Sequence, residues 1–259
     1  MIKKFFLHLT HKNIKYLLIS GQATVLYGAA TFSEDIDLWV SPEPENWQKF
    51  IDCLRESKAK IYKATPPIKF EFIQNGHAYH FEVPSTEQEP VWFLDVMGVV
   101  PRVGTFPVAY KSVNFCETEW GEIATIGLRD LVQIKKTRRL ADYPIISNLV
   151  RQEYEKMRTS GIKDKDWIWI LTNSFETEDI LSYLKNHREA RKVCKRLSRQ
   201  CLKYALQNDF SSVSNSIALE IERLRQQDRI YWQTIIAELK ALNRRGKLLS
   251  VGSTPVWTP

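Results

Sequence analysis

Residues 20–40 read SGQATVLYGAATFSEDIDLWV, and this stretch decides the fold. The apolar run Tyr16 to Ile19 before it reads as a buried strand. Ser20-Gly21 reads as a turn, and Gly21–Tyr27 as the short helix that it opens. Fourteen residues after Gly21, the triplet Asp35-Ile36-Asp37 begins a second apolar strand, Asp35–Val40. In a strand, residues i and i+2 point to the same face. Asp35 and Asp37 therefore stand side by side, while Ile36 and Leu38 turn toward a core. Two like charges that close need a counter-charge, and hard oxygen ligands suit Mg2+.

Elements alternate on either side of this stretch. Residues 3–11 read as a helix. Pro42-Glu43-Pro44 breaks the chain before an amphipathic helix over Glu45–Lys58, with Trp47, Phe50, Ile51 and Leu54 on one side. Strands are expected at Ile68–Ile73, Ala78–Val83 and Val91–Met97, punctuated by Pro66-Pro67, Asn75-Gly76 and Pro84-Ser85. Asn75-Gly76 between two such runs predicts a hairpin. A further strand pair covers Lys111–Cys116 and Glu119–Ile126. From Gly127 the pattern turns helical, at Leu128–Leu140, Pro144–Met157, Lys165–Thr172, Thr177–His187, 188–207 and 213–245. The tail Ser250–Pro259, rich in Gly, Pro, Ser and Thr, is expected to fray. The fold class is α+β. A mixed β-sheet flanked by helices occupies residues 1–126, and an all-helical domain occupies 127–259, with a basic helix at 127–142 followed by a basic bundle.

Two further clusters carry chemistry. In Val91-Trp92-Phe93-Leu94-Asp95-Val96-Met97 one carboxylate sits among apolar residues, which is costly to bury unless it is paired or metal-bound. Asp95 is therefore the candidate third carboxylate, with Glu82 on the preceding strand as runner-up. Leu128 to Pro144 reads LRDLVQIKKTRRLADYP. Lys135, Lys136, Arg138 and Arg139 crowd its C-terminal turns, where cations suit the helix dipole. The same cations would suit a triphosphate clamp.

Taken in order, Ser20-Gly21, Ala23, Tyr27-Gly28, Ser33, Asp35-Ile36-Asp37, Asp95 and then Asp130, Lys135, Lys136, Arg139 and Asp142 resemble the polymerase-beta-like nucleotidyltransferase superfamily. Within it the pattern is most similar to the minimal nucleotidyltransferase and AbiEii toxin-like branch. The likeness spans roughly residues 16–148, and Thr31 stands where that family often carries Arg. The resemblance implies a nucleotidyltransferase-type sheet and an Mg2+-dependent enzyme with a pair of ions at its site. Such an enzyme moves a nucleoside monophosphate from ATP or another NTP to an acceptor hydroxyl. Asp35, Asp37 and Asp95 would be catalytic and hold the metal, and Asp95 would also activate the acceptor. Ser20, Gly21, Ser33, Lys135, Lys136 and Arg139 would bind the nucleotide, with Asp142 orienting Arg139. The implied acceptor is RNA, such as a tRNA 3′ end, in a toxin–antitoxin setting with a cognate antitoxin or toxin protein. An adenylylated partner protein, a small hydroxylated molecule and an inactive nucleotide-binding module stand as alternatives.

Composition narrows the setting. Hydrophobic residues at 44% and charged residues at 26% fit a globular chain with a real core. No apolar run approaches the roughly 18 residues that a membrane span needs, so no membrane partner is expected. The opening stretch Met1–Asn13 has too short an apolar patch for a secretory leader. Cys53, Cys116, Cys194 and Cys201 lack metal-type spacing and read as free thiols in a reducing cytoplasm. The net charge of +7 is unevenly spread: residues 185–259 hold 15 Lys+Arg against 6 Asp+Glu, and residues 1–184 hold 22 against 24. That asymmetry points to a polyanion. Arg188, Arg191, Lys192, Lys195 and Arg199 fall along one side of the expected 188–207 helix and form a candidate RNA-backbone track. Trp167, Trp169, Tyr183, Tyr204, Tyr231 and Trp232 read as packing between helices. His8, His11, His77, His80 and His187 form no ligand cluster in the sequence, and of these His77 and His80 are placed to approach a substrate.

Overall fold

The computed structural model describes residues 2–84 and 91–258. In chain order, α1 (Ile2–His11) leads to β1 (Tyr16–Ile19), α2 (Ser20–Leu26), β2 (Ile36–Val40), α3 (Pro44–Glu56), β3 (Lys60–Ile61), β4 (Ile68–Lys69), α4 (Phe70–Gln74), β5 (Ala78–Val83) and β6 (Trp92–Met97). Then come α5 (Phe106–Ala109), a 3-10 turn (Tyr110–Ser112), β7 (Asn114–Thr118) and β8 (Gly121–Thr125). Helices follow: α6 (Leu128–Ile134), α7 (Asp142–Arg158), α8 (Asp164–Asn173), α9 (Thr177–Asn186), α10 (Arg188–Cys194), α11 (Gln200–Ala205) and α12 (Phe210–Arg244). A short strand, β9 (Trp257–Thr258), comes last.

The fold is α+β, a mixed sheet flanked by helices and followed by a helical region. Seven strands are ordered β3-β5-β6-β2-β1-β8-β7. β2 lies parallel to β6 and β1 parallel to β8, and the remaining neighbours are antiparallel. The chain divides into two compact units. One takes the residues up to Leu26, Thr31–Ile134 and those from Tyr231 onward; the other takes Tyr27–Ala30 and Lys135–Ile230. The expected boundary at 126/127 is thus drawn later. α6 belongs with the sheet, and α12 contributes to both units.

Alternation explains the sheet. Trp92, Leu94 and Val96 on β6, Tyr79, Phe81 and Val83 on β5, and Ile36, Leu38 and Val40 on β2 are all buried. α1 and α3 supply their aromatic partners. Phe5 stands 5.2 Å from Trp92 and 6.5 Å from Phe50, and Trp47 stands 5.3 Å from Tyr79, all edge-on. Burying each such side chain contributes about 1.5–3 kcal/mol. In the other unit, Trp167 and Tyr183 are buried and pack with Tyr154 and His187. All four cysteines are free thiols. Burial pushes the Cys53 thiol up to about 12, which makes it a poor nucleophile. Among the described residues no helix is long and apolar enough to cross a membrane.

Four local readings are corrected. The expected strand Ile68–Ile73 is two residues of β4 followed by α4, so Asn75-Gly76 ends a helix instead of joining a hairpin. The Gly76 N–H donates to the Ile73 carbonyl at 3.1 Å and the His77 N–H to Phe72 at 3.1 Å, the paired bonds of a Schellman stop. The expected helix Leu128–Leu140 ends at Ile134. The expected helix 188–207 breaks between α10 and α11. The tail is anchored: β9 pairs with β4, the Ile61 N–H donates to the Ser253 carbonyl at 2.9 Å, and Trp257 stacks on Trp47. Ser85, from the expected Pro84-Ser85 break, and Pro259 lie outside the described residues.

Gly76 holds φ +82°, and a Cβ there would meet the Tyr231 hydroxyl at 3.0 Å. Gly76→Ala is expected to cost about 1–2 kcal/mol, seen as a lower urea midpoint with an unchanged slope.

Candidate active site

The strand β1 ends at Ile19, and the chain turns at once into α2. Ser20 makes that turn with φ +57°, a left-handed conformation that costs a non-glycine residue roughly 1–2 kcal/mol. Gly21 follows because nothing larger fits: a Cβ there would stand 2.1 Å from Ser33 Oγ and 2.9 Å from Ser33 Cβ. The 31–35 segment is tied down over this turn. Gln22 Nε2 donates to the Ser33 carbonyl at 2.7 Å, and Ser33 Oγ donates to the Asp35 carbonyl at 3.3 Å. Ser20, Gly21, Ser33 and Asp35 thus share one locality, with Asp35 half-buried just before β2.

Strand register sets the other carboxylates. Asp37 pairs with Ile19 on one side and with Asp95 on the other, and Asp95 in turn pairs with His80. Asp37, Asp95 and His80 therefore line up across three strands on the face opposite the buried one. His80 Nδ1 stands 2.7 Å from Asp95 Oδ1, and both side chains keep 22% exposure, enough to meet a ligand. Glu82 lies two residues from His80 on the same face, opposite Phe93. Tyr62 and Lys63, just beyond β3, border this set. The Tyr62 ring is 4.6 Å from Phe93 and 6.2 Å from His80, and Lys63 Nζ lies 4.5 Å from the Tyr62 centroid. The Tyr62 hydroxyl is raised above its ordinary value, first by burial and then by the charges of Asp95 and Asp35 against an opposing Lys63. Burial alone would lower Lys63, but its bond to Tyr62 and the charges of Asp95, Tyr62 and Asp35 leave it raised. Asp35 and Asp95 thus act on the same two side chains.

Among the described residues no three His, Cys, Asp or Glu side chains form a ready-made metal cage. The donor set still fits Mg2+ in its chemistry. Mg2+ is commonly held by one or two carboxylates plus substrate phosphates and water. Asp37 and Asp95, abreast on paired strands, are such a pair.

The basic segment lies in the helical unit. Lys135 and Lys136 are buried. Lys135 Nζ stands 3.2 Å from Asp142 Oδ1, and Lys136 Nζ donates to Asn173 Oδ1 at 2.8 Å. Asp142 does not orient the Arg139 side chain as expected, because its second oxygen accepts the Thr137 hydroxyl. Thr137 Oγ1 in turn accepts the Arg139 backbone N–H, and Asp228 accepts that of Arg138. These bonds hold 135–141 as a loop. They leave the Arg139 guanidinium exposed and without an ion pair among the described residues.

Of the candidate RNA contacts, Arg199 is withdrawn. Its Nε stands 2.8 Å from Glu220, its Nη1 donates to the Leu171 carbonyl at 2.6 Å, and its guanidinium lies over Phe175. Arg188, Arg191, Lys192 and Lys195 line one cavity with Leu206.

Tyr62, Lys63 and Phe93 were not singled out from the sequence, and His80 was read there only as able to approach a substrate, without a partner. Phe93 carried a signal, since it precedes Asp95 by two in a strand. The pairing of His80 with Asp95 carried none, because it depends on the β5–β6 register.

No family model matches the chain, and no curated protein matches it. Solved structures include a Thermotoga maritima protein provisionally described as a nucleotidyltransferase. It is 16% identical, with a TM-score of 0.35, over 61% of this chain and 88% of that one. A likeness of that degree does not decide a family.

Asp142→Ala is expected to destabilise the protein by about 3 kcal/mol or more, because it strands the buried Lys135 ammonium. Lys135→Met/Asp142→Leu should recover most of that loss in the same thermal unfolding series. Ser20→Gly should raise stability by about 1 kcal/mol by relieving its left-handed backbone.

Proposed function

We propose that this chain is an Mg2+-dependent nucleotidyltransferase that moves a nucleoside monophosphate from an NTP to an acceptor hydroxyl. The acceptor we assign is RNA, such as a tRNA 3′ end, in a toxin-like role with a cognate antitoxin. The observation that supports the reading is the register that sets Asp37 beside Asp95, with Asp35 held against the Ser20-Gly21 turn by Ser33.

In this reading Asp35, Asp37 and Asp95 hold the metal, which when bound offsets charge on the triphosphate. Asp95 takes the proton of the acceptor hydroxyl. The acceptor oxygen forms a bond to the α-phosphorus as the bond to the bridging oxygen breaks, and pyrophosphate leaves. His80 fixes the Asp95 carboxylate by the 2.7 Å contact to its Oδ1. Ser20, Gly21 and Ser33 would receive the phosphate oxygens. Arg139, exposed and without an ion pair among the described residues, is the cation of its segment best able to reach a ligand. Lys135 and Lys136, both engaged by buried partners, would contribute charge to the same segment.

The test is label transfer from each α-labelled NTP, with Mg2+, into total RNA and total protein. RNA should carry the label. Asp37→Asn and Asp95→Asn should each lower transfer at least about a hundredfold with the fold retained, and a chelator should abolish it. A labelled protein band would move the assignment to protein adenylylation or its analogue. An NTP bound with no transfer into either pool would make the chain a nucleotide-binding module or send the search to small hydroxylated acceptors.

A further inference from the structure

We infer that the cavity bordered by Arg188, Arg191, Lys192 and Lys195 is a seat for the phosphate backbone of single-stranded RNA, read without regard to base sequence. The inference rests on the RNA-acceptor reading above and adds where the helical unit would hold that acceptor.

The break between α10 and α11 creates the site. A continuous helix would have laid its cations along one straight side. Instead the chain leaves α10 at Cys194, turns through 195–199 and re-enters a helix at Gln200. Arg196 and Arg199 are consumed in the turn. Arg196 Nη2 stands 2.6 Å from Asp164 Oδ2, and Arg199 pairs with Glu220. Arg188, Arg191, Lys192 and Lys195 are left around a concavity of about 510 Å³, whose other lining residue is Leu206.

Charge balance is the decisive point. All four cations are exposed, and among the described residues none has a carboxylate partner within 4.0 Å. Glu189, their neighbour on α10, is not among the lining residues. Like charges gathered without counter-charge repel, and screening reduces that cost without removing it. The acids on Arg196 and Arg199 show that this region supplies counter-charge at some cations and withholds it at these.

The lining also specifies the ligand. Guanidinium forks match phosphate oxygens in pairs, and ammonium groups add point charges. The lining side chains include no hydrogen-bond acceptor and no aromatic ring, so they offer nothing to read or stack a base. Contacts of this kind position a nucleic acid and carry no sequence information. A volume in the range of roughly 300–1,000 Å³ typical of ligand sites leaves room for more than one phosphate.

The test is fluorescence anisotropy of a labelled single-stranded RNA without NTP, titrated from about 50 to 200 mM salt. Single strands lose about 0.7 in log–log salt slope for each phosphate contact. Arg191→Gln/Lys192→Gln/Lys195→Gln should therefore flatten the slope by about 2 and weaken binding at least about tenfold at low salt. Lys156→Gln/Lys163→Gln/Lys165→Gln removes equal charge elsewhere in the unit and should weaken binding far less. Should the triple variant misfold by circular dichroism, Lys192→Gln and Lys195→Gln alone, both at exposed positions, should each flatten the slope by about 0.7. Equal losses in the two triple variants would overturn the site and leave only net charge. Displacement of RNA by tripolyphosphate at a matched phosphate concentration would overturn the RNA assignment in favour of a small polyanion. Because no transfer is measured, an RNA-binding protein that transfers nothing would sustain this inference while refuting the enzyme, and the reverse outcome is equally readable.

Discussion

One register governs the candidate site: β2 parallel to β6, with Asp37 abreast of Asp95. A slip of one residue would turn every side chain of a strand to the opposite face. It would drive carboxylates into the aromatic layer of Phe5, Phe50 and Trp92 and put Leu38 and Val96 where Asp37 and Asp95 now stand. Ile36, Leu38, Leu94 and Val96, all nearly inaccessible, make that slip prohibitive. The apolar face therefore does two jobs with one set of contacts. It holds the sheet against α1 and α3, and it sets the spacing of the acids behind it.

Much of this was legible from alternation. Asp95 stood out because an acid among apolar neighbours is expensive, and the β1 turn stood out because two small residues followed an apolar run. What escaped depends on partners distant in the chain. Asn-Gly suits a tight hairpin and a helix stop alike, and the brevity of α4 concealed which was in use. The end of α6 is enforced by Thr137, Asp142 and Asp228, the last of which bonds the backbone of Arg138 from far along the chain. His80 reaches Asp95 only because β5 and β6 pair in one particular register. A window of local sequence contains none of these facts.

Charge was legible in amount but not in allocation. The excess of cations after residue 184 is plain from counting. Counting cannot show that Arg199 turns inward onto Glu220 and a carbonyl, or that Lys135 is engaged by Asp142 within a buried pair. A basic segment is a reservoir from which the fold draws structural ion pairs first. Only the remainder faces outward, and that remainder can be named only once the acids have been placed.

The unit that carries the sheet takes its last pieces from the other end of the chain. Residues from Tyr231 onward return to it, β9 pairs with β4, and the Ile61 backbone bonds to that of Ser253. On the ribosome, the segments bearing the three aspartates emerge long before these closing segments exist. All seven strands of the main sheet are made by Thr125, but the bonds that close over β3 and the separate β4–β9 pair cannot form until the whole helical unit has been synthesised. The helical unit, contiguous except for Tyr27–Ala30, can gather its own contacts as it emerges, so the part of the molecule made second is free to finish first.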